Sequence, residues 1–233
     1  MPPIYWRAME RPDLAGISAV VADYDRTLSD AELEPSTDAL EALAGLKGKR
    51  GWRIIIASGR PVRFFLRHGR IMGLADAIVA ENGAVIHIPR DGRTIVSGGG
   101  DLSRIGEALS KLGVPFEAFD VILSVERGAE GAVRRIIAEA GLDAKLEYNV
   151  DTLMILPKAV DKLGGVRMAL RLLGVEGGFM AFGDGENDAG LIGGADFGVA
   201  VANAAEEAKA KADYVTEKPY GEGVAEFIRA FLL

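Results

Sequence analysis

The chain has 233 residues, of which 49% are hydrophobic and 26% charged, and its formal net charge at pH 7 is −7. This composition excludes a disordered or fibrous protein, and the negative charge offers no general attraction for nucleic acid or anionic membranes. The absence of cysteine excludes disulfides, thiolate catalysis and Cys-ligated metal sites. The N-terminus lacks the apolar run of a secretory signal, and no run is long enough to span a membrane, so we expect a soluble cytoplasmic protein.

The N-terminal part of the chain alternates apolar runs with amphipathic segments. Short β-branched runs predict strands over 17–23, 52–58 and 76–82, and such runs are typical of strands buried on both faces of a parallel sheet. Apolar residues at helical spacing behind a Ser/Thr cap predict a helix over 36–49, and a second helix is expected over 61–72. This alternation indicates a doubly wound, Rossmann-like α/β sheet.

The middle of the chain has a different pattern. It predicts a hairpin turning at Asp91-Gly92, a strand over 121–127, a helix over 129–141 and a pair of strands that turn at Asp151. We interpret this region as an α+β cap domain, residues 85–154, inserted into a core domain of residues 1–84 and 155–233. Gly98-Gly99-Gly100 is then a loop within the cap.

The alternation of strands and helices returns after the insert. A helix over 162–174 precedes a strand over 177–185, and further strands are expected over 197–202 and 214–216, with a terminal helix from about Gly223. The second part of the chain therefore completes the same parallel sheet.

Polar residues follow four of the predicted strands at the point where each strand ends. The four clusters are Asp23 with Asp25, Ser58-Gly59-Arg60, Glu81-Asn82-Gly83, and the run 183–188 with Asp184, Asn187 and Asp188. Each alone is explained as well by a turn or a helix cap. Right-handed crossovers would bring all four to one edge of the sheet, where converging carboxylates repel unless a divalent cation bridges them. The sequence therefore predicts a Mg²⁺ site.

The spacing of Asp23 and Asp25 suggests a division of labour. Residues i and i+2 at a strand end can direct both side chains into one pocket. Asp23 would then be a nucleophile that forms an aspartyl phosphate, and Asp25 a general acid and base that moves the proton. This assignment is a hypothesis from geometry.

The motifs "DYDRTL", "ASGR", "ENGA" and "GDGEND" together resemble those of the haloacid dehalogenase-like superfamily of phosphatases, in the same order and over the whole chain. The resemblance implies an aspartate nucleophile, an aspartate acid/base, a phosphate-binding Ser and Lys, and acidic ligands for Mg²⁺. The corresponding residues are Asp23 and Asp25 for catalysis, Ser58, Gly59, Lys162 and Asn187 for substrate binding, and Asp23, Asp25, Asp184 and Asp188 for the metal.

Two positions depart from the family pattern. Lys158 and Lys162 both precede the last motif, and we choose Lys162 because "AVDKLG" resembles the family pattern, whereas Lys158 is better explained as a solvated loop charge. Arg26 stands where the family usually has glycine, and we expect its side chain to point out of the pocket. His68 and His87 lack partners at metal-ligand spacing and are interpreted as structural or surface residues.

The position of the insert resembles the cap of the Cof-like branch of the superfamily. The compact cap and total length look most like phosphoglycolate phosphatases of the archaeal type, which implies a small phosphorylated metabolite as the substrate. Phosphatases of sucrose phosphate or mannosyl-phosphoglycerate share the motifs, and a phosphomutase or, least favoured, a phospho-acceptor signalling domain are the alternatives. A carboxylated substrate requires a cation in the cap, and the candidates are Arg127, Arg134, Arg135 and Lys145.

Overall fold

The computed structural model describes residues 12–97, 102–149 and 152–233. The predicted loop at Gly98-Gly99-Gly100 and the turn at Asp151 lie outside these residues. No helix within them is long and apolar enough to cross a membrane.

Twelve strands form in the described residues. They are β1 (Ile17–Asp23), β2 (Arg53–Ala57), β3 (Ala77–Ala80), β4 (Val85–Ile88), β5 (Arg93–Val96), β6 (Phe116–Ala118), β7 (Leu123–Glu126), β8 (Ala144–Asn149), β9 (Thr152–Pro157), β10 (Gly178–Gly183), β11 (Phe197–Ala200) and β12 (Tyr214–Val215). Eight of them form one sheet in the order β12-β11-β10-β1-β2-β3-β4-β5. Pairing is parallel from β12 to β3 and antiparallel for β4 and β5. The α/β class predicted from the sequence is confirmed.

Nine α-helices accompany the strands in the described part of the chain. They are α1 (Thr37–Arg50), α2 (Val62–Phe65), α3 (Gly69–Leu74), α4 (Ser103–Lys111), α5 (Glu130–Ala140), α6 (Lys162–Leu172), α7 (Ala189–Gly193), α8 (Glu206–Lys209) and α9 (Tyr220–Phe231). The predicted N-cap of α1 is present, because the Ser36 hydroxyl accepts a hydrogen bond from the Ala39 N–H, and the helix ends at Gly51 in the left-handed region.

The large sheet is buried on both faces, as its apolar strands require. Alternate residues of β1 enter different cores: Val20 packs with α1 and α9, whereas Val21 packs with α6. All residues of β1 from Ala19 to Ala22 are fully buried. This two-sided burial fixes β1 at the centre of the sheet and places its carboxyl end, Asp23, between the neighbouring strands β2 and β10.

The remaining four strands form a separate antiparallel sheet in the order β6-β7-β9-β8. Helices α4 and α5 cover it, and together they enclose a core of their own that includes Ile105, Val133 and Leu153. This is the inserted α+β unit expected from the sequence, and we call it the cap.

Three expectations about elements were wrong. The hairpin β4–β5, assigned to the cap, extends the large sheet instead, because β4 pairs antiparallel with β3. The single helix expected over 61–72 is two short helices separated at 66–68, and strand β6 was not predicted. Because the hairpin belongs to the core sheet by its hydrogen bonds, we propose a core that includes 12–97 and 158–233 and a cap that includes 102–149 and 152–157.

Candidate active site

The four polar clusters lie at the carboxyl edge of the large sheet. Asp23 ends β1, Ser58 follows β2, Glu81 follows β3, and Asp184 follows β10. Strand β1 pairs in parallel with both β2 and β10, so their carboxyl ends are adjacent. The topology therefore brings the predicted residues together, as expected for ligand sites of open α/β sheets.

A buried lysine and three buried aspartates form the centre of the site. The Lys162 Nζ donates to Asp23 Oδ1 at 2.9 Å and to Asp188 Oδ1 at 2.6 Å. Asp23, Asp184 and Asp188 each offer a carboxylate oxygen within 4.8 Å of the others. Lys162 is only 3% exposed and Asp188 1%. One cation thus faces three carboxylates, which leaves excess negative charge in a buried volume.

The backbone and neighbouring side chains orient the acids. Asp188 Oδ2 accepts the N–H groups of Asp184 and Gly185 at 3.2 and 2.9 Å. Thr27 donates its hydroxyl to Asp184 Oδ1 at 3.1 Å, as expected for a supporting residue of the first motif. Asn203 approaches Asp184 Oδ2 at 3.4 Å and was not predicted, although its place just beyond strand β11 is the signal that could have found it.

Burial and mutual repulsion shift the pKa values of these groups. Burial, then the charge of Asp188, raises the pKa of Asp23 well above its usual range, against the opposing effect of Lys162. Burial and Asp188 likewise raise the pKa of Asp184 to about 7. Burial alone would lower the pKa of Lys162, but Asp188 and Asp23 outweigh it and raise it. A divalent cation would relieve this repulsion, and hard carboxylate oxygens are the ligands that Mg²⁺ prefers, so the donor set fits Mg²⁺.

Asp25 stands apart from the three clustered aspartates. Its Oδ1 accepts from Arg60 Nε at 2.7 Å and lies 2.6 Å from a second guanidinium nitrogen, while Oδ2 accepts the Ser58 hydroxyl at 3.3 Å. The Arg60 guanidinium also lies 4.1 Å from the centre of the Phe64 ring. The Asp25 side chain, predicted to join the metal ligands, is thus engaged by Arg60, a contact that the sequence analysis did not foresee.

The other predicted binding residues occupy different depths. Ser58 is fully buried beside Asp25, whereas Gly59 and Asn187 line an open cavity above the site. Lys158, interpreted as a solvated loop charge, lies 3.7 Å from the exposed Asp143. His87 is hydrogen-bonded to Thr94 at 2.8 Å.

Arg26 lies in the site, so the expectation that it points away was wrong. It lines both cavities of the site, and its charge lowers the pKa of Asp184, against the larger effect of burial. Its backbone has φ of 61°, in the left-handed region, which redirects the chain after Asp25. Glycine adopts this conformation without steric cost, which is the physical reason for glycine in the family pattern at this position.

The turn after β3 connects the core to the cap. Its residues Glu81, Asn82 and Gly83 all have positive φ, and the Glu81 carboxylate accepts the backbone N–H groups of Asp120, Val121 and Ile122. These three residues form the loop between β6 and β7 of the cap. Burial raises the pKa of Glu81, whereas the three N–H groups lower it in part.

Two cavities open between the core and the cap. The smaller, about 240 Å³, lies over the acidic cluster and is lined by Asp23, Asp184, Asp188 and, from the cap, Arg127 and Tyr148. The larger, about 720 Å³, adjoins Asp25 and is bounded by Arg63, Phe64, Phe119 and Met154. The cap therefore covers the acidic cluster and contributes side chains to both cavities.

Fold and site together define a capped α/β protein whose buried carboxylates, at the carboxyl edge of the sheet, fit a divalent cation. The chain belongs to the haloacid dehalogenase-like hydrolases, because the profile of that family matches residues 20–110 and 134–228. The family predicted from the four motifs is confirmed.

Curated relatives cover nearly the whole chain. A phosphoglycolate phosphatase of Methanothermobacter thermautotrophicus is 33% identical over 222 residues, which are 92% of this chain and 98% of the relative. A phosphoglycolate phosphatase of Archaeoglobus fulgidus is 34% identical over 91% of this chain and 95% of the relative. A haloacid dehalogenase-like hydrolase from Bacteroides thetaiotaomicron has the same fold, with a TM-score of 0.79 at 21% identity, covering 92% of this chain and 99% of that chain.

Proposed function

We propose that this protein is a magnesium-dependent phosphomonoesterase that works through an aspartyl phosphate, and that its substrate is 2-phosphoglycolate. The observation that carries the proposal is the contact of Lys162 with both Asp23 and Asp188 inside a cluster of three carboxylates. This arrangement provides a nucleophile, a phosphate-binding cation and metal ligands within one buried volume.

In the first step Asp23 attacks the phosphorus and the ester oxygen leaves. Asp25 donates a proton to that oxygen, so glycolate departs as an alcohol and Asp23 carries the phosphoryl group. Arg60 holds Asp25 Oδ1, and this contact leaves Oδ2 as the oxygen that moves the proton. Lys162, Ser58 and Asn187 bind the phosphate oxygens.

In the second step water hydrolyses the aspartyl phosphate. Asp25, now ionised, takes a proton from the attacking water, and inorganic phosphate leaves Asp23 in its original form. Mg²⁺ held by Asp23, Asp184 and Asp188 would offset the negative charge of the phosphoryl group in both steps. The cap excludes bulk water while the first step takes place.

Two findings support 2-phosphoglycolate. The relatives described above carry the name phosphoglycolate phosphatase at 33% and 34% identity. The cavity over the cluster is small, about 240 Å³, and contains two arginines that can meet a carboxylate.

A sugar phosphate is the second candidate. The adjoining cavity of about 720 Å³ is much larger than a two-carbon acid needs, and Ser124, Thr152 and Glu117 give it polar walls that could bind hydroxyl groups. A phosphomutase would use the same aspartates but return the phosphate to a substrate.

Phosphate release from 2-phosphoglycolate and from a panel of sugar phosphates, with Mg²⁺ or with chelator, tests the proposal. We expect Mg²⁺-dependent release, highest in kcat/KM for 2-phosphoglycolate, and loss of about 10³-fold or more in Asp23→Asn. Asp143→Asn, an exposed aspartate at the far side of the cap, is the matched control and should keep full activity. Preference for a sugar phosphate would overturn the substrate, and undiminished release by Asp23→Asn would overturn the mechanism.

A further inference from the structure

The cap contributes an arginine to the small cavity over the acidic cluster. Arg127 begins the short turn after β7, and its guanidinium carbon lies 5.0 Å from the centre of the Tyr148 ring on β8. Both side chains line the cavity that contains Asp23, Asp184 and Asn187. The cation is thus placed above the proposed phosphoryl site, from the opposite domain.

The other cap cations named from the sequence are engaged elsewhere or lie away from the cavities. Arg134 bonds Glu130 Oε1 at 2.7 Å on the exposed face of α5, and Lys145 pairs with Glu147 at 2.7 Å. Arg135 is exposed and lines neither cavity. Within the residues that the structure describes, Arg127 has no carboxylate partner within ion-pair distance, so it is the cap cation left to bind an anion.

The surroundings of Arg127 suit a carboxylate rather than a neutral group. The floor of the cavity is acidic, with Asp23, Asp184 and Asp188, so an anion there needs a compensating cation above it. Stacking on Tyr148 fixes the plane of the guanidinium, which then presents paired N–H groups in the geometry of a carboxylate. Arg26 lines the same cavity from the core side and adds a second positive charge.

We propose that Arg127, held on the Tyr148 ring, binds the carboxylate of the leaving group and selects phosphomonoesters of small hydroxy acids over neutral phosphomonoesters. This inference rests on the proposed function and names the residue that determines substrate specificity. Phosphate binds at Lys162 beneath, and the carboxylate of the same small molecule reaches the cap above. A neutral leaving group leaves Arg127 without a partner and gains nothing from it.

The test compares two substrates of nearly equal size, 2-phosphoglycolate and 2-hydroxyethyl phosphate, which carries a hydroxymethyl group in place of the carboxylate. In Arg127→Gln we expect kcat/KM for 2-phosphoglycolate to fall about 10- to 100-fold, mostly through KM, with 2-hydroxyethyl phosphate changed less than about 2-fold. Arg127→Lys keeps the charge without the paired donors and should lie between.

Arg134→Gln is the matched control, because Arg134 contacts the same Tyr148 through its hydroxyl but lies outside the cavity. Its ratio of kcat/KM for the two substrates should equal that of the wild type. Unchanged thermal unfolding of Arg127→Gln, with and without Mg²⁺, shows that the loss is not a folding defect.

The possible outcomes separate the inference from the function on which it rests. If Arg127→Gln lowers both substrates equally, or if the wild type hydrolyses both equally well, the inference is overturned while the phosphatase proposal stands. If the wild type releases phosphate from neither compound but does so from a sugar phosphate, the assigned substrate is wrong and the inference falls with it. Selective loss of 2-phosphoglycolate hydrolysis supports both.

Discussion

Arg26 shows how a single residue can combine backbone strain with an electrostatic role. Its φ of 61° carries a steric cost of roughly 1–2 kcal/mol for any side chain with a Cβ atom. Its carbonyl accepts the Asn203 side-chain amide at 3.0 Å, and its charge acts on Asp184. The strained conformation is therefore tied to the orientation of a proposed metal ligand.

Arg26→Gly and Arg26→Ala separate these two effects. Both remove the charge, so both should raise the pKa of Asp184 further, but only glycine relieves the left-handed backbone. We expect the Gly variant to unfold at higher denaturant than the Ala variant, by about 1 kcal/mol in the free energy of unfolding. Equal stability of the two variants, measured in urea, would show that the backbone is not strained at this residue.

Sequence patterns identified the charged residues of the site but not all their contacts. Asp23, Ser58, Lys162, Asp184 and Asp188 follow from strand ends and family motifs, and the structure brings them together. Arg60 and Asn203 were missed because their partners are 35 and 19 residues away in the chain. Such pairs depend on which strands are neighbours, and local sequence does not specify this.

At the scale of elements, the turn after β3 positions helix α6. A Cβ atom on Gly83 would lie 2.1 Å from the Asp161 carbonyl oxygen, and one on Gly165 would lie 2.5 Å from the Gly83 Cα. The two glycines thus let the turn and the first residues of α6 touch through their backbones. Since Asp161 caps this helix and Lys162 begins it, the contact determines where the Lys162 ammonium lies.

Gly83→Ala should displace this helix start. With φ of 102° and no room for a methyl group, we expect a loss of about 3 kcal/mol or more in the free energy of unfolding, with phosphate release reduced as well. Gly73→Ala in α3 is the control, because its Cβ meets open space and helix propensity should stabilise it by up to about 1 kcal/mol. Thermal unfolding of both variants decides the matter, and similar melting temperatures would contradict the account.

Two elements departed from their patterns for identifiable reasons. The segment 61–72 has helical spacing throughout, but it breaks before Gly69, where the His68 ring packs 4.7 Å from that of Phe64. The hairpin β4–β5 has the same local pattern whether it lies in the cap or the core. Only its pairing with β3 places it, and that contact is tertiary.

At the scale of the whole molecule, the buried acids link stability to pH and metal. Without metal, the pKa of Asp184 is about 7 against an ordinary 3.8, and that of Asp23 is also raised. Raised carboxyl pKa values mean that the folded state binds these protons more tightly. Their stabilising contribution is complete below the ordinary pKa and is lost as pH rises through about 7.

We therefore expect the melting temperature in chelator to fall between about pH 5 and about pH 8, and the increase produced by Mg²⁺ to grow over the same range. Mg²⁺ binds the ionised carboxylates, so its affinity rises as the protons leave. Asp184→Asn should flatten both trends. A stabilisation by Mg²⁺ that is independent of pH would contradict this account of the cluster.

The Glu81 carboxylate has a consequence for how the cap opens. One side chain accepts three consecutive N–H groups of the β6–β7 loop, so any separation at this point removes the acceptor from all three together. Partial bending would leave buried donors unsatisfied, which costs more than either the fully joined or the fully hydrated arrangement. The carboxylate thus acts as a latch with two stable positions, and the cap is released in a single cooperative step rather than by gradual flexing.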